Sequence, residues 1–167
     1  MSKAGRVWRF GDNIDTDVLA PGLYMKKPIV ELAEHCLEAV DPKFAKAVRP
    51  GDIVVAGRNF GMGSSREQAA QALLALGVTA ILAKSFGGIF YRNALNHGLL
   101  ALTCADADRI EAGDKLAIDG VKGEVVVERT GERLACEPLP PHLLEMIEDG
   151  GLVAHLEKKL ARKRAGT

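Results

Sequence analysis

The stretch GDIVVAGRNFGMGSSREQAAQALLALGVTAILA, residues 51–83, decides the fold. A β-branched apolar run opens it, a loop rich in glycine and serine follows, and an Ala/Leu-rich pattern leads to a second apolar run. The two apolar runs predict strands buried on both faces, and the pattern between them predicts a helix over about residues 65–76. A buried strand, a helix and another buried strand in succession indicate parallel pairing through a right-handed crossover.

The segments on either side extend this pattern. Downstream, a second helix is predicted over residues 85–96 and an apolar strand over residues 99–104. Upstream, the sequence predicts a strand over residues 5–10, a turn-rich loop over residues 11–22 and an amphipathic helix over residues 28–40. The alternation of strands and helices therefore continues in both directions.

The pattern of apolar and polar residues changes after Asp114. Apolar and polar residues alternate on both sides of Asp119-Gly120, which is typical of an antiparallel hairpin. A final helical region covers about residues 141–163, and Gly150-Gly151 is expected to divide it in two. The sequence thus predicts an α/β fold with a mixed, partly parallel sheet flanked by helices, in a single domain over residues 1–167.

The composition narrows the class of protein. Lys plus Arg and Asp plus Glu number 22 each, which argues against a nucleic-acid surface, because such surfaces carry a basic excess. No apolar run is long enough to cross a bilayer, and the first ten residues contain no signal-peptide core. Cys36, Cys104 and Cys136 form no CxxC pair, which favours a reduced, cytoplasmic protein without a metal site built from its own thiols.

The loop NFGMGSSREQ, residues 59–68, has two interpretations. Ser64 with Glu67 and Ser65 with Gln68 each fit the spacing of a helix capping box, which would explain one serine. Alternatively, glycines such as Gly63 bring the backbone close to an anion at the start of the helix, with Arg66 beside it. The GxGxxG, Walker and GxSxG patterns do not fit this loop, so we expect it to bind a carboxylate rather than a polyphosphate.

The neighbouring loops offer further charged residues. Asp12, Asp15 and Asp17 lie close together in sequence but lack the register of a calcium loop, so turn formation competes with an Asp-based metal site. Lys26 and Lys27 follow in the same segment. They could bind a substrate carboxylate if the segment lies near the glycine loop.

Three motifs resemble one family in their order and spacing. DNIDTDVLAPGLYM, GDIVVAGRNFGMGSSREQA and AKSFGGIFYRNALNHGL are similar to the small subunit of 3-isopropylmalate dehydratase, which corresponds to the swivelling domain of aconitase. The resemblance implies a swivelling β/β/α domain and a hydro-lyase of leucine biosynthesis. It also implies a large partner subunit that carries a [4Fe-4S] cluster, with no cofactor bound by this chain.

The resemblance assigns roles to residues. It implies that Ser64 is the catalytic base, that Ser65 and Arg66 bind substrate and stabilise the base, and that Thr16 and Asp17 lie near the active site. Met62, Gln68 and the pair Gly87-Gly88 depart from the Cys, His and Ala-Arg that are frequent in the family. Lys26 stands where homoaconitases have Arg and isopropylmalate enzymes have an apolar residue, which tilts the expected substrate towards an additional carboxylate.

Several functions stay open from the sequence. The leading interpretation is a 3-isopropylmalate dehydratase small subunit that is active only with its large subunit. Alternatives are a homoaconitase or 2,3-dimethylmalate dehydratase small subunit, a non-catalytic carboxylate-binding module, or a metal enzyme using the three aspartates. The isolated chain could also form homo-oligomers through its exposed docking face.

Overall fold

The computed structural model describes residues 2–166, with the side chains of residues 2 and 3 left aside. Within that range the strands form one mixed sheet of seven strands in the order β4-β3-β2-β1-β5-β6-β7. The strands are β1 (Ser2–Arg9), β2 (Ile53–Ala56), β3 (Ala80–Ala83), β4 (Leu100–Thr103), β5 (Lys115–Asp119), β6 (Glu124–Val127) and β7 (Glu132–Ala135).

Strands β1 to β4 form the parallel half of the sheet. Each pairs in parallel with its neighbour, with Val54 opposite both Trp8 and Ile81, and Ile81 opposite Ala101. Every residue of β2 and β3 is buried, as expected for strands that are covered on both faces. The predicted parallel pairing is therefore present.

Strands β5 to β7 form the antiparallel half. β5 pairs with β1 on one side and with β6 on the other, and β7 follows β6. The predicted hairpin joins β5 to β6, where the Asp119 carboxylate accepts hydrogen bonds from the backbone of Val121 and Lys122, both at 3.1 Å. The sequence analysis missed β7, which is short and has a single buried residue, Leu134.

The helices are shorter than the periodicity suggests. The two helices at the carboxyl end meet at Gly150-Gly151 as predicted, while the helix over Thr16–Leu19 lies inside a segment predicted as loop and the helix over Phe44–Ala47 was not predicted. The helices are α1 (Thr16–Leu19), α2 (Ile29–Ala33), α3 (Phe44–Ala47), α4 (Gln68–Ala75), α5 (Gly88–Asn96), α6 (Pro141–Glu148) and α7 (Leu152–Ala165).

Three predicted helix bounds were wrong. The helix expected over residues 28–40 ends at Ala33, because Leu37 takes a left-handed conformation (φ 62°) and its N–H bonds to the Val18 carbonyl instead of continuing the helix. The helices expected from Ser65 and Ser85 begin three residues later, at Gln68 and Gly88. In both cases the residues before the helix are held by other loops.

The two outer strands of the sheet approach each other through the segment after β7. The Glu137 N–H donates to the Thr103 carbonyl at 2.9 Å, which places this segment beside the edge of β4. Cys104 and Cys136 meet there, and their mutual hydrogen bond lowers the pKa of the Cys104 thiol and raises that of Cys136. All three cysteines are buried and free.

Aromatic residues fill the core beneath the loops that follow the parallel strands. Phe60 and Phe90 are buried and meet edge to face with ring centroids 5.3 Å apart, and Phe86 packs against both. Among residues 2–166, no helix has both the length and the apolar character that a membrane span needs.

Candidate active site

Three loops meet at the carboxyl ends of parallel strands β1, β2 and β3, where α/β sheets usually bind ligands. They are the aspartate loop (residues 10–22), the glycine-serine loop (57–67) and the phenylalanine loop (84–87). Backbone hydrogen bonds join the first two, from Gly61 to Ile14 at 2.6 Å and from Thr16 to Met62 at 2.9 Å. Others join the second and third, from Phe60 to Ser85 at 3.0 Å and from Gly87 to Phe60 at 2.8 Å.

Ser64 is exposed to solvent at the centre of this arrangement. Its hydroxyl lies 3.2 Å from the Thr16 hydroxyl, and its backbone N–H donates to the same Thr16 oxygen at 3.1 Å. Thr16 itself is only 2% exposed. The structure therefore brings together a reachable serine and a buried threonine that lie 48 positions apart in the chain.

Two glycines make the close approach of the loops possible. Gly63 has φ 118°, and a Cβ there would lie 2.9 Å from the Thr16 hydroxyl oxygen. Gly61 has φ 78°, and a Cβ there would lie 2.1 Å from the ring of Phe90. Both backbone conformations favour glycine, because a side chain at positive φ is strained.

The capping boxes suggested by the sequence do not form. Glu67 is the N-cap of α4 and makes no side-chain cap bond, so neither Ser64 nor Ser65 caps the helix. Ser64 lies four positions before the first residue of α4, which also separates it from the helix N–H groups expected to surround it. Ser85 does not cap α5 either, since its hydroxyl accepts the Asn59 N–H at 2.8 Å.

Arg66 contacts the aspartate loop. Its guanidinium donates to the Asp17 carboxylate at 2.7 Å and to the Ala20 carbonyl at 3.0 Å. The bond from Arg66, together with the Gly22 N–H at 3.1 Å, holds the pKa of the Asp17 carboxyl below its ordinary value. The structure thus brings Arg66 and Asp17 together as a pair and shows no contact between Arg66 and the Ser64 hydroxyl.

Lys26 is exposed just beyond a 3-10 helix at Gly22–Tyr24. The first residue of that helix donates to Asp17, and Tyr24 stacks on His35 with ring centroids 3.6 Å apart. His35 in turn lies 2.7 Å from the Glu38 carboxylate. The chain just before Lys26 is therefore anchored by Asp17 at Gly22 and by the aromatic stack at Tyr24.

Helix α5 supports the glycine-serine loop through residues that the sequence analysis did not assign. Asn93 donates to the Ser65 carbonyl at 3.4 Å, and His97 lies 3.7 Å from the Glu67 carboxylate. Asn93 lies within one of the quoted motifs, which was the available signal. His97 lies in the same motif, but its contact with Glu67 depends on how α5 packs against α4.

The structure shows what surrounds three of the residues that depart from the family pattern. Gly87 lies against the backbone of the glycine-serine loop, and a Cβ there would be 2.9 Å from the Gly61 carbonyl oxygen. Gly88 faces open space, so a side chain would fit there. Met62 is 41% exposed, which places its thioether on the surface beside Ser64.

The three aspartates do not assemble a metal site. Asp12 accepts the Arg58 N–H and Asp15 accepts the Val18 N–H, both at 2.8 Å, while Asp17 binds Arg66. In residues 2–166 only Glu145, Asp149 and His155 group closely enough to hold an ion, and Asp149 already pairs with His155 and Lys158. Asp15 and Asp17 stabilise their own turns, as the alternative interpretation expected, whereas Asp12 joins the aspartate loop to the glycine-serine loop.

The described part of the chain also does not fit an iron–sulfur cluster. Such clusters are held by several cysteine thiolates at one place. The three thiols are buried, and no candidate ligand group among residues 2–166 contains a cysteine.

Known proteins are similar to this chain in sequence and in fold. The aconitase C-terminal domain model matches residues 19–107. The chain is 49% identical over 160 residues to a 3-isopropylmalate dehydratase small subunit of Archaeoglobus fulgidus, covering 95% of this chain and 96% of that protein. It is 50% identical over 158 residues to the methanogen homoaconitase small subunit of Methanothermobacter thermautotrophicus, covering 93% and 91%.

A solved structure is also similar to this chain over its full length. The crystal structure of 3-isopropylmalate dehydratase from Methanocaldococcus jannaschii matches all of both chains with a TM-score of 0.93 and 42% sequence identity. This confirms the predicted α/β fold with its mixed sheet. The chain belongs to the aconitase C-terminal domain family and, within it, to the small subunits of 3-isopropylmalate dehydratase-type hydro-lyases.

Proposed function

We propose that this chain, acting as one domain, is the small subunit of a heteromeric [4Fe-4S] hydro-lyase for malate-type hydroxy acids, with 3-isopropylmalate as the leading substrate. The observation that carries the proposal is the exposed Ser64 hydroxyl, which is bound to buried Thr16 where three loops meet. A group that removes a proton from a substrate must be within reach of that substrate and held in a fixed position. Ser64 meets both conditions.

The chemistry requires a partner. Departure of a hydroxide needs a Lewis acid, which the iron of a large subunit would supply. The described residues offer no thiolate set for that cluster, so the cluster belongs to the partner in this proposal. In this proposal the small subunit contributes the base Ser64, and exposed apolar side chains such as Met62 and Leu23 contact the partner.

The polar groups around Ser64 would receive the substrate carboxylates. Ser65 is exposed and its backbone is held by Asn93, so its hydroxyl is free to turn towards a ligand. Arg66 is partly exposed, and in this proposal its guanidinium binds a substrate carboxylate while Asp17 fixes its orientation. Gly63 has no side chain, which leaves space beside Ser64 for the backbone to approach a ligand.

The test is turnover of the complex with its cognate large subunit, assembled without oxygen. We expect Ser64→Ala to lower turnover of 3-isopropylmalate by at least about 10²–10⁴-fold, the range for loss of a positioned acid–base group. Thr130→Ala, which removes an exposed hydroxyl between β6 and β7, is the matched control and should retain activity. Full activity of Ser64→Ala, or turnover by the small subunit alone, would contradict the proposal.

A second candidate function is homoaconitase-type activity, which acts on a substrate with an additional carboxylate. It is favoured by the cation Lys26, exposed at the end of a segment that Asp17 and His35 anchor. We propose that Lys26 faces the variable substituent of the substrate. Lys26→Val should then shift relative activity from homoaconitate towards isopropylmalate, and an unchanged ratio of the two activities would refute this role.

A non-catalytic carboxylate-binding module predicts a different result. In that case Ser64→Ala would leave carboxylate affinity nearly unchanged, and the complex with the large subunit would turn over neither 3-isopropylmalate nor homoaconitate.

A further inference from the structure

The Thr16 side chain makes two contacts with one residue. The Ser64 N–H donates to the Thr16 hydroxyl oxygen at 3.1 Å, while the Ser64 hydroxyl lies 3.2 Å from the same oxygen. A hydroxyl has one proton to donate and two lone pairs. Because one lone pair receives the Ser64 N–H, the Thr16 proton is available to point at the Ser64 hydroxyl oxygen.

The surroundings restrict this geometry. Thr16 is buried, so water does not compete for its hydroxyl, and its backbone is held by a bond from its N–H to the Met62 carbonyl at 2.9 Å. Gly63 permits the approach, because a Cβ there would press against the Thr16 oxygen at 2.9 Å. The threonine is thus positioned from both sides.

The charged groups nearby are already occupied. The Asp15 carboxylate accepts the Val18 N–H at 2.8 Å, and Asp17 pairs with Arg66 at 2.7 Å. The Arg66 guanidinium also donates to the Ala20 carbonyl. Among the side chains of residues 4–166, the one that is hydrogen-bonded to the Ser64 hydroxyl is therefore that of Thr16.

We propose that Thr16 is a positioning residue for the base, which donates its hydroxyl proton in a hydrogen bond to the Ser64 oxygen when that oxygen carries negative charge. The inference rests on the proposed function and deepens it. During the reaction Ser64 takes the proton from the substrate carbon, while the Thr16 proton stays on Thr16. A hydrogen bond to the charged form of a group favours that form, so Thr16 increases the fraction of Ser64 that can act as base.

The experiment compares Thr16→Val, Thr16→Ser and Ser64→Ala in the reconstituted complex. Valine keeps the shape of threonine and removes the donor, so we expect kcat to fall about 10²-fold, as when one donor to an oxyanion is lost. KM should change little, since buried Thr16 lies behind Ser64 and does not reach the substrate. The acid limb of the kcat–pH profile should move to higher pH, and Thr16→Ser should restore both kcat and the profile.

The outcomes separate this inference from the function on which it rests. If Ser64→Ala retains turnover, the proposed function itself fails. If Ser64→Ala is inactive while Thr16→Val matches the original kcat and pH profile, only the role of Thr16 is overturned. Should Thr16→Val fail to assemble with the large subunit, Thr16→Ser decides the question, and activity below about a tenth of the original would overturn the inference.

Discussion

In the parallel half of the sheet, buried residues run without interruption along β2 and β3, whereas in the antiparallel half they alternate with less buried ones along β5 and β6. The loops of the parallel half join one another through backbone bonds and carry Ser64. The turns of the antiparallel half are closed mainly by their own residues, such as Asp119 with Lys122. The comparison suggests that the parallel half positions the chemistry and the antiparallel half completes the fold.

The largest expected difference between the halves concerns two glycines with positive φ. Gly61, in the glycine-serine loop, has φ 78° and would place a Cβ inside the Phe90 ring, whereas Gly131, between β6 and β7, has φ 70° and open space around it. We expect Gly61→Ala to lower the free energy of unfolding by about 3–5 kcal/mol, from backbone strain plus overpacking. Gly131→Ala should cost about 1–2 kcal/mol from strain alone.

Chemical denaturation of the two variants measures this difference. Equal losses of unfolding free energy would show that the loops of the parallel half adjust as freely as an open turn. The conclusion that the parallel half holds its loops in fixed positions would then be wrong.

The next largest effect uses neighbouring valines of identical chemistry. Val54 and Val55 on β2 are both buried, whereas on β6 Val125 is buried and Val126 is only partly so. Truncation of a buried valine to alanine should cost about 2–3 kcal/mol through lost burial and the cavity left behind. We therefore expect similar losses at both β2 positions and at Val125, and less than about 1 kcal/mol at Val126.

Chemical denaturation of the four valine variants tests this prediction, provided that their unfolding curves have the same dependence on denaturant concentration. A cost at Val126 as large as that at Val125 would mean that both faces of the antiparallel half are covered, contrary to its alternating burial.

The halves also differ in how well the sequence predicted them. Continuous apolar runs identified β2, β3 and β4, because burial on both faces requires apolar residues at every position. The hairpin was found from Asp119-Gly120, whereas β7 has only Leu134 buried and carries almost no pattern. Helix starts were placed too early, since the chain before α4 and α5 bonds to neighbouring loops that periodicity cannot reveal.

For the site, the sequence predicted residues that lie together in the fold, but some of the contacts expected among them do not form. Ser64, Thr16, Asp17 and Arg66 do lie together. The expected pairing of the guanidinium with the serine is replaced by the Arg66–Asp17 pair. That pairing depends on the fold of the aspartate loop around α1, which local turn signals predicted only as irregular.

The smallest expected effect concerns the ion pairs of the two halves. Buried Asp114, at the start of β5, accepts two bonds from Arg129, the shorter at 2.7 Å, and one from the Glu111 N–H at 2.8 Å. Arg129 first, and the Glu111 N–H after it, hold the pKa of the Asp114 carboxyl below its ordinary value despite burial. Asp17, with Arg66 in the parallel half, also has a lowered pKa but is exposed.

Asp114→Asn should therefore cost about 1–2 kcal/mol of unfolding free energy at neutral pH, because the charge of the pair with Arg129 is lost and one of the two acceptor oxygens becomes a donor. A carboxyl with a lowered folded pKa stabilises above its unfolded pKa, about 4, and this contribution disappears as pH falls through the folded value. The difference between the original chain and Asp114→Asn should thus be constant from pH 7 to 5 and shrink below pH about 4.

Asp17→Asn is the matched comparison, since an exposed pair contributes little to stability. It should change the unfolding curves less than Asp114→Asn does, yet lower turnover of the reconstituted complex, because Arg66 loses the carboxylate that orients it. Denaturation at a series of pH values, together with turnover assays, measures both effects. If Asp17→Asn instead destabilised the chain as much as Asp114→Asn and left turnover intact, the Arg66–Asp17 pair would be a structural element like the pair at β5, and the assignment of chemistry to the parallel half would rest on Ser64 and Thr16 alone.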